Sequence, residues 1–573
     1  MSIRAAQSAA LSALQTSQAG ISVSSENIAN ASVEGYTAKS LSLSSSVTTG
    51  ASTGVTVTSV GSTVDSYLLK SISEAASESG YASVFSDPLN MVASQFGDVG
   101  DDGSISTLIA DLETAIAALA VSADSQSEKS TTLSEANAIA DELNNLSQSV
   151  QDQRASADQS IEDTVDQIND LLNEIHAYNN QLSGTDGTTL TTSELEDARA
   201  QAINELSELV DISYYTDSSN TTQIYIGGTL VVGSQVQELS YNAVGTVTSD
   251  TTFADITVNG NSITDSISGG SLGGLIELRD ETLPDIQEEL DNLATTLMDS
   301  INAVTNLGTA YPAPSELVGS EEVDLTDAFS GTGTIRLAAT DEDGNAVEVI
   351  EIDLSTITTV QDLVDAINSS TYLDASVGSD GTLEIAASDD DYGVSIINMD
   401  ASVGADDQGF SDYFGLNDMF TGTDAGNISV NSAWLDDTSR LPVGSGSDDA
   451  TLAVGDSVIS SGSSDVAEAL ADLFDENVSF DAAGNLGSTK TTLSDYAAEI
   501  LSDVAQQASS AETEASVATS AYEELVESFS NQYGVNTDEE ALTLSNLQSA
   551  YEAAAAILEI TQSLMDTLLE AVS

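Results

Sequence analysis

Residues 2–29, SIRAAQSAALSALQTSQAGISVSSENIA, decide the fold. Ile3, Ala10, Leu14, Ser17, Ile21, Ser24 and Ile28 recur at heptad-type steps, the spacing that lines one seam of a helix for a partner helix. Ser2 is placed to cap its start, and a turn around Gly35 follows its end. Small and hydroxyl residues interrupt the seam, so the helix buries too little to stand alone. The far end of the chain supplies a partner. Leu547, Tyr551, Ala554, Leu558, Thr561, Met565 and Leu568 repeat the same spacing, around an AAAAIL run of high helix propensity. The expectation is an α+β protein whose N- and C-terminal helices pair into a coiled-coil or helical-bundle rod, with β-rich domains inserted between them. Ile3, Leu14, Ile21, Ile28, Leu547, Tyr551, Leu558, Met565 and Leu568 are the expected assembly interface.

Working inward, residues 38–64 turn to alternating Ser, Thr, Gly and Val, which reads as short strands. Helical periodicity returns from Asp65, with Ser104 as a cap for a helix through Ala120. A long helix is predicted over 133–182, with Ile161, Val165, Ile168, Leu172, Ile175 and Leu182 on one stripe. Gly184–Gly187 breaks it, and a capping box of Ser193 with Glu196 opens the next helix. Strand-and-turn pattern fills 212–263. A helix follows GGSLGG, with Leu290, Leu293, Leu297 and Ile301 on its apolar face, and helical pattern resumes at Leu493. The expected domains are a terminal helical assembly domain (1–64 with 536–573), a helical rod domain (65–210, 270–310 and 490–535), a β-rich segment (211–269) and an inserted β-rich module (315–485).

Composition narrows the function. Ten Lys plus Arg stand against 94 Asp plus Glu in 573 residues, a formal charge of −84 that repels phosphate backbones and anionic lipid. Nucleic-acid binding and membrane insertion are not expected. Hydrophobic residues make up 40%, enough for folded cores beneath an anionic surface. The acidity points to a marine or halophilic setting, where salt screens self-repulsion. Cysteine is absent, which removes disulfides, thiolate metal sites and cysteine nucleophiles. The N-terminus lacks the continuous apolar core of a cleavable signal.

No constellation carries catalysis. His176, the single histidine, lies in the helical run NDLLNEIHAYNNQL with no nucleophile elbow beside it. GGSLGG lacks the Lys and Ser/Thr that grip phosphate. Asp98–Gly103 and Asp341–Gly344 echo calcium loops without their full ligand spacing and read as solvated turns. No catalytic residue, cofactor or metal is therefore expected, and a structural, non-enzymatic role is.

The stretch SSENIANASVEGYTAK resembles the signature of the flagellar axial proteins, with Asn27, Ile28, Ala29, Asn30, Gly35 and Tyr36 in its places and Val33 and Glu34 before the Gly-Tyr pair. VDSYLLKSISEA, DARAQAINELSELVDIS, GGSLGGLIELRDETLPDIQEELDNLA and GVNTDEEALTLSNLQSAYEAAAAILEITQSLMDTLL are similar to the junction subunits of that family, in the family's order. So is YFGLNDMFTGTDAGNISVN. The resemblance implies a ring-like or helical homo-oligomer layered between the hook protein and a second junction protein or flagellin-like subunit, on which the filament is built. It further implies type III export into the extracellular flagellum without signal cleavage, and a cytoplasmic export chaperone on residues 536–573. The alternatives are a hook- or filament-type axial subunit, or an acidic extracellular surface protein or adhesin.

Overall fold

The structure is a computed structural model describing residues 3–33, 35–48, 51–183, 190–405 and 407–572. Its helices run α1 (Ile3–Ala29), α2 (Ser66–Phe96), α3 (Ile105–Val121), α4 (Gln126–Leu182), α5 (Leu190–Leu209), α6 (Gly270–Glu277), α7 (Leu283–Thr305), α8 (Val360–Ile367), α9 (Phe410–Phe414), α10 (Ser432–Asp436), α11 (Asp465–Asp475), α12 (Leu493–Tyr533) and α13 (Thr537–Val572). Among the described residues the strands between them pair into two- and three-stranded antiparallel sheets. The fold is thus α+β, with long terminal helices and inserted β domains. Two compact units result, one of Met1–Pro88, Ala155–Arg279 and Ser509–Ser573, the other of Leu89–Arg154 and Asp280–Ala508.

In the first unit α1 packs along α13, and the hairpin Ser40–Thr48/Ala51–Gly61 lies on α1. The stripe Ile161, Val165, Ile168, Leu172, Ile175 and Leu182 on α4 is buried throughout, at 2% exposure or less. Two asparagines on the same helix act as substitute strand neighbours. Asn179 donates to Thr222 O (2.8 Å) and accepts from Thr222 N (2.9 Å), while Asn169 makes the same pair of bonds with Leu239 (2.9 and 2.8 Å). Each carboxamide satisfies one strand residue's donor and acceptor, so short sheets that would be marginal alone are tied to the helix. Beneath them the buried Asp158 accepts from Arg279 Nη1 (2.8 Å), from Tyr241 Oη and from Val244 N (2.7 Å). A buried carboxylate so fully bonded avoids the desolvation cost of an unpaired charge.

The second unit has a helical core to which α7 gives Leu290, Leu293, Leu297 and Ile301, all fully buried, and α12 gives Leu493, Ile500 and Val504. Its β module holds the sheets Ala346–Asp353/Thr334–Thr340/Gly393–Ile397 and Leu373–Val377/Thr382–Ala387/Glu316–Glu322. A single cluster runs between them, joining Ile335, Leu337, Leu383 and Ile385 to Phe329, Phe410 and Phe414 and to Leu363 and Ile367 of α8. At the start of α8 a capping box is complete: Thr359 accepts from Asp362 N, and Asp362 accepts from Thr359 N.

Local expectations fail in two places. Ser193 lies inside α5, its buried hydroxyl without a partner among the described residues, so the capping box with Glu196 does not form; the helix is already under way at Leu190. Ser104 does precede α3, but its hydroxyl turns to Ser106 and Thr107 rather than to a backbone N–H. Ser2, Glu34 and Gly184–Gly187 lie outside the described residues.

Candidate assembly surface of the terminal helices

The seam between α1 and α13 is built from small residues. On α1 the buried positions are Ala10, Ser17, Gly20, Val23, Ser24 and Asn27; on α13 they are Ala554 and Thr561. Leu547 reaches across at Gly20, where a Cβ would stand 2.8 Å from its Cδ1 and 3.0 Å from its Cδ2. Glycine leaves room here for the end of the Leu547 side chain, which would have to turn aside for a larger residue. Small residues bring two helices near but bury little apolar area, so the seam yields modest stabilisation.

The larger residues flank this seam. Ile3, Leu14, Ile21 and Ile28 on α1, and Leu547, Leu558 and Met565 on α13, are half-buried. Tyr551 is 40% exposed and Leu568 53% exposed. The spacing put Ala10, Ser17 and Ser24 on one seam with Leu14, Ile21 and Ile28; the structure buries Ala10, Ser17 and Ser24 together with Gly20, Val23 and Asn27, and leaves the bulky residues at the edges. Leu542, Ile557, Ile560, Leu564 and Leu569 of α13 are exposed as well. A ladder of leucine and isoleucine is thus only partly covered within the chain, more than scattered surface apolar residues would account for.

The signature residues converge at the end of α1. Asn27, fully buried, donates to Lys39 O (2.9 Å) and to Glu540 Oε1 of α13 (2.7 Å), and accepts from Lys39 N (2.9 Å) and Tyr36 Oη (3.0 Å). Ser24 donates to the backbone oxygen (3.0 Å) and the carboxylate of the same Glu540. Asn30 N closes on Glu26 O (2.9 Å), and Gly35 takes a φ of +73°. That left-handed turn suits glycine and brings Tyr36 back over Asn27. Beyond it Lys39, 3% exposed, reaches Thr37 (2.7 Å) and pairs with Asp197 of α5, which also accepts from Thr37 N (3.0 Å). Burial pushes the Lys39 amine down and Asp197 pulls it back toward the charged form.

Sequence reading marked Asn27, Ile28, Asn30, Gly35 and Tyr36 but missed Glu540, Lys39 and Asp197. Ile28 is the signature residue outside the hub, half-buried on the next position of the helix. Lys39 had one signal, since lysine is so rare in this chain that each one invites a buried partner. Nothing in a chain with 94 acids distinguishes Glu540 or Asp197. Among the described residues, no group of three or more His, Asp or Glu is placed to hold a metal ion, and no helix is long and apolar enough to cross a membrane.

Comparison with known proteins shows what this arrangement resembles. Residues 89–314 match the flagellar hook-associated protein FlgK helical domain, 334–389 the flagellin hook IN motif, and 8–37 the flagella basal body rod protein family. Flagellar hook-associated protein 1 of Salmonella typhimurium is 25% identical over 582 residues, covering 98% of each chain. Over nearly its whole length the chain is similar to flagellar hook-associated protein 1. That similarity supports a structural protein of the flagellar hook–filament junction. The Escherichia coli protein of that name is 23% identical over 575 residues, again covering 98% of each chain. The Bacillus subtilis one is 24% identical over 337 residues, 52% of this chain and 66% of that one. Among solved structures, the flagellar hook junction protein FlgK from Burkholderia pseudomallei aligns over 80% of this chain and 99% of its own with a TM-score of 0.48 and 17% identity.

Proposed function

We propose that this chain builds its junction layer by completing the terminal helices from neighbouring copies. The observation that supports this is the division of labour on α1 and α13: small residues close the helices on each other, and the bulky apolar residues stay at the edges. A free subunit then holds its termini weakly. Association covers Ile3, Leu14, Ile21 and Ile28 on α1 and Tyr551, Ile557, Ile560, Leu564 and Leu568 on α13, adding the apolar burial that the intrachain seam lacks. Ordering of the termini and incorporation become one step.

In this reading the partners are further copies in a ring-like or helical layer, hook protein on one side and a second junction protein or flagellin-like subunit on the other. Before export, a cytoplasmic chaperone covers the exposed apolar face of α13. Export proceeds through the type III channel without a cleaved signal, and the role is structural rather than enzymatic. The Asn27 hub serves as the latch that sets the angle of α13, because one carboxamide fixes the end of α1, the chain after the turn and the first turn of α13 together.

The test is incorporation of an Ile560→Asp variant in cells lacking the native chain. Ile560 is 60% exposed, so the substitution leaves the free subunit intact while placing an unpaired charge in the subunit contact. The reading expects a free subunit with unchanged circular dichroism, no incorporation even when the purified variant is added from outside to hooks lacking the native chain, and flagellin lost to the medium; normal filaments would refute it.

A further inference from the structure

The cleft between the C-terminal half of α4 and the turns that follow it belongs to no part of the assembly surface. Its volume is about 710 Å³, within the range that holds a small ligand. Its walls are carboxamides, Asn173, Gln235, Gln237 and Asn259, with one carboxylate, Glu238, and the chain's single histidine, His176. Two of the amides are pre-set: Asn259 Nδ2 donates to Gln237 Oε1 (2.7 Å), and Asn173 Nδ2 donates to Glu238 Oε1 (3.1 Å). The backbone under Gln237 is held by its N–H to Val231 O (2.8 Å), and Asn259 sits in the tight turn joining Thr257–Val258 to Asn261–Ser262. His176 lines the cleft, its Nδ1 shielded from solvent with no hydrogen-bond partner among the described residues.

The lining selects by chemistry. With no Lys or Arg and one carboxylate, on a chain of charge −84, an anion finds no counter-charge. The aliphatic contribution is Val236 and Leu239 and no aromatic ring lines the cleft, so a hydrophobic ligand gains little. Only His176 and Glu238 are of metal-ligating type, too few for a divalent site. The lining suits a neutral ligand rich in hydroxyls: with Asn259 Nδ2 given to Gln237 Oε1 and Asn173 Nδ2 to Glu238 Oε1, Asn259 Oδ1, Gln237 Nε2 and Glu238 Oε2 are left to accept from and donate to hydroxyl groups. The geometry points to a binding site for neutral saccharides, read by Asn259, Gln237, Glu238 and His176.

A single histidine gives a single imidazole signal. The full-length chain, labelled with 15N-histidine, is titrated with neutral gluco-, manno- and chito-oligosaccharides, with sialyllactose as an anionic control and with Zn2+ alone. The site predicts saturable movement of the His176 resonance by at least one neutral saccharide, with an affinity of about 1–10 mM for so open a cleft. Sialyllactose should leave it unmoved, and both Asn259→Ala and Gln237→Ala should weaken binding at least about 10-fold with unchanged circular dichroism. No movement with any neutral saccharide at ~100 mM would overturn the assignment. So would equal binding by both variants, or saturation by Zn2+ at micromolar concentration without a saccharide response.

Discussion

At Asn27 one side chain makes four hydrogen bonds in a fully buried position. Asn27→Ala strands the Lys39 backbone N–H and C=O and frees Glu540, a loss of about 2–3 kcal/mol for two buried unsatisfied groups. Hydrogen exchange along α13 should then accelerate by about 30-fold or more, while exchange in the β module stays unchanged. Equal exchange in both proteins would remove Asn27 from the role of latch. A second residue-scale consequence concerns acid. Burial, reinforced by Asp503, raises the Glu289 carboxyl to about 8, and burial raises Asp418 to about 6 against the opposing bonds from Ser320 and Asn306. Both groups bind protons more readily folded than unfolded, so their contribution is full below the ordinary carboxylate range. It is lost as pH rises through about 6 and then about 8. The second unit should melt several degrees higher at about pH 5.5 than at about pH 8.5, and Glu289→Gln should remove much of that difference. A melting temperature that rises with pH, with no response to the substitution, would contradict the sign.

At the scale of the element, α13 carries two kinds of apolar position, and paired substitutions tell them apart. Leu558→Asp falls on a half-buried residue and should weaken both the intrachain seam and incorporation; Ile560→Asp, on the exposed face, should abolish incorporation alone. Circular dichroism of the free subunits and filament counts in cells give the two readouts. If both variants lose helicity equally, the face assignment is wrong. Periodicity made these helices legible: the buried stripe of α4 and the apolar face of α7 follow from 3.6-residue spacing alone, because long amphipathic segments leave one solution. The small seam residues Ala10, Ser17 and Ser24 of α1 and Ala554 and Thr561 of α13 are buried, while Gly20 and Asn27 had no place in the heptad pattern. Leu14, Ile21 and Ile28 outrank Gly20 and Asn27 on hydrophobicity, and no single-helix pattern shows that a close approach by Leu547 favours glycine. The clamps made by Asn169 and Asn179 were hidden for a related reason, since asparagine in a helix reads as surface until a strand residue is seen bonded to it. The hub was half legible, visible as a signature in sequence but without Glu540 and Asp197, whose partners lie hundreds of residues and well over a hundred residues away.

For the whole molecule, the distribution of positive charge matters more than its total. Six of the ten cationic side chains, Lys39, Lys129, Arg154, Arg199, Arg279 and Arg336, are buried, leaving Arg4, Lys70, Arg440 and Lys490 to offset the acids outside. The surface is therefore more one-sided than the composition suggests, and packing copies side by side multiplies the repulsion. Mobile ions shorten its reach from about 10 Å at 0.1 M to about 3 Å at 1 M. Raising sodium chloride from about 0.05 M to about 2 M should lift the melting temperature by roughly 5 °C or more and favour self-association. A flat response in both would end the case for a saline setting.

The central claim, a junction layer on which the filament is built, is tested most directly by electron microscopy of cells lacking this chain, with flagellin assayed in the medium. The account predicts complete hooks without filaments and flagellin released from the cells. Intact filaments on those hooks would contradict it.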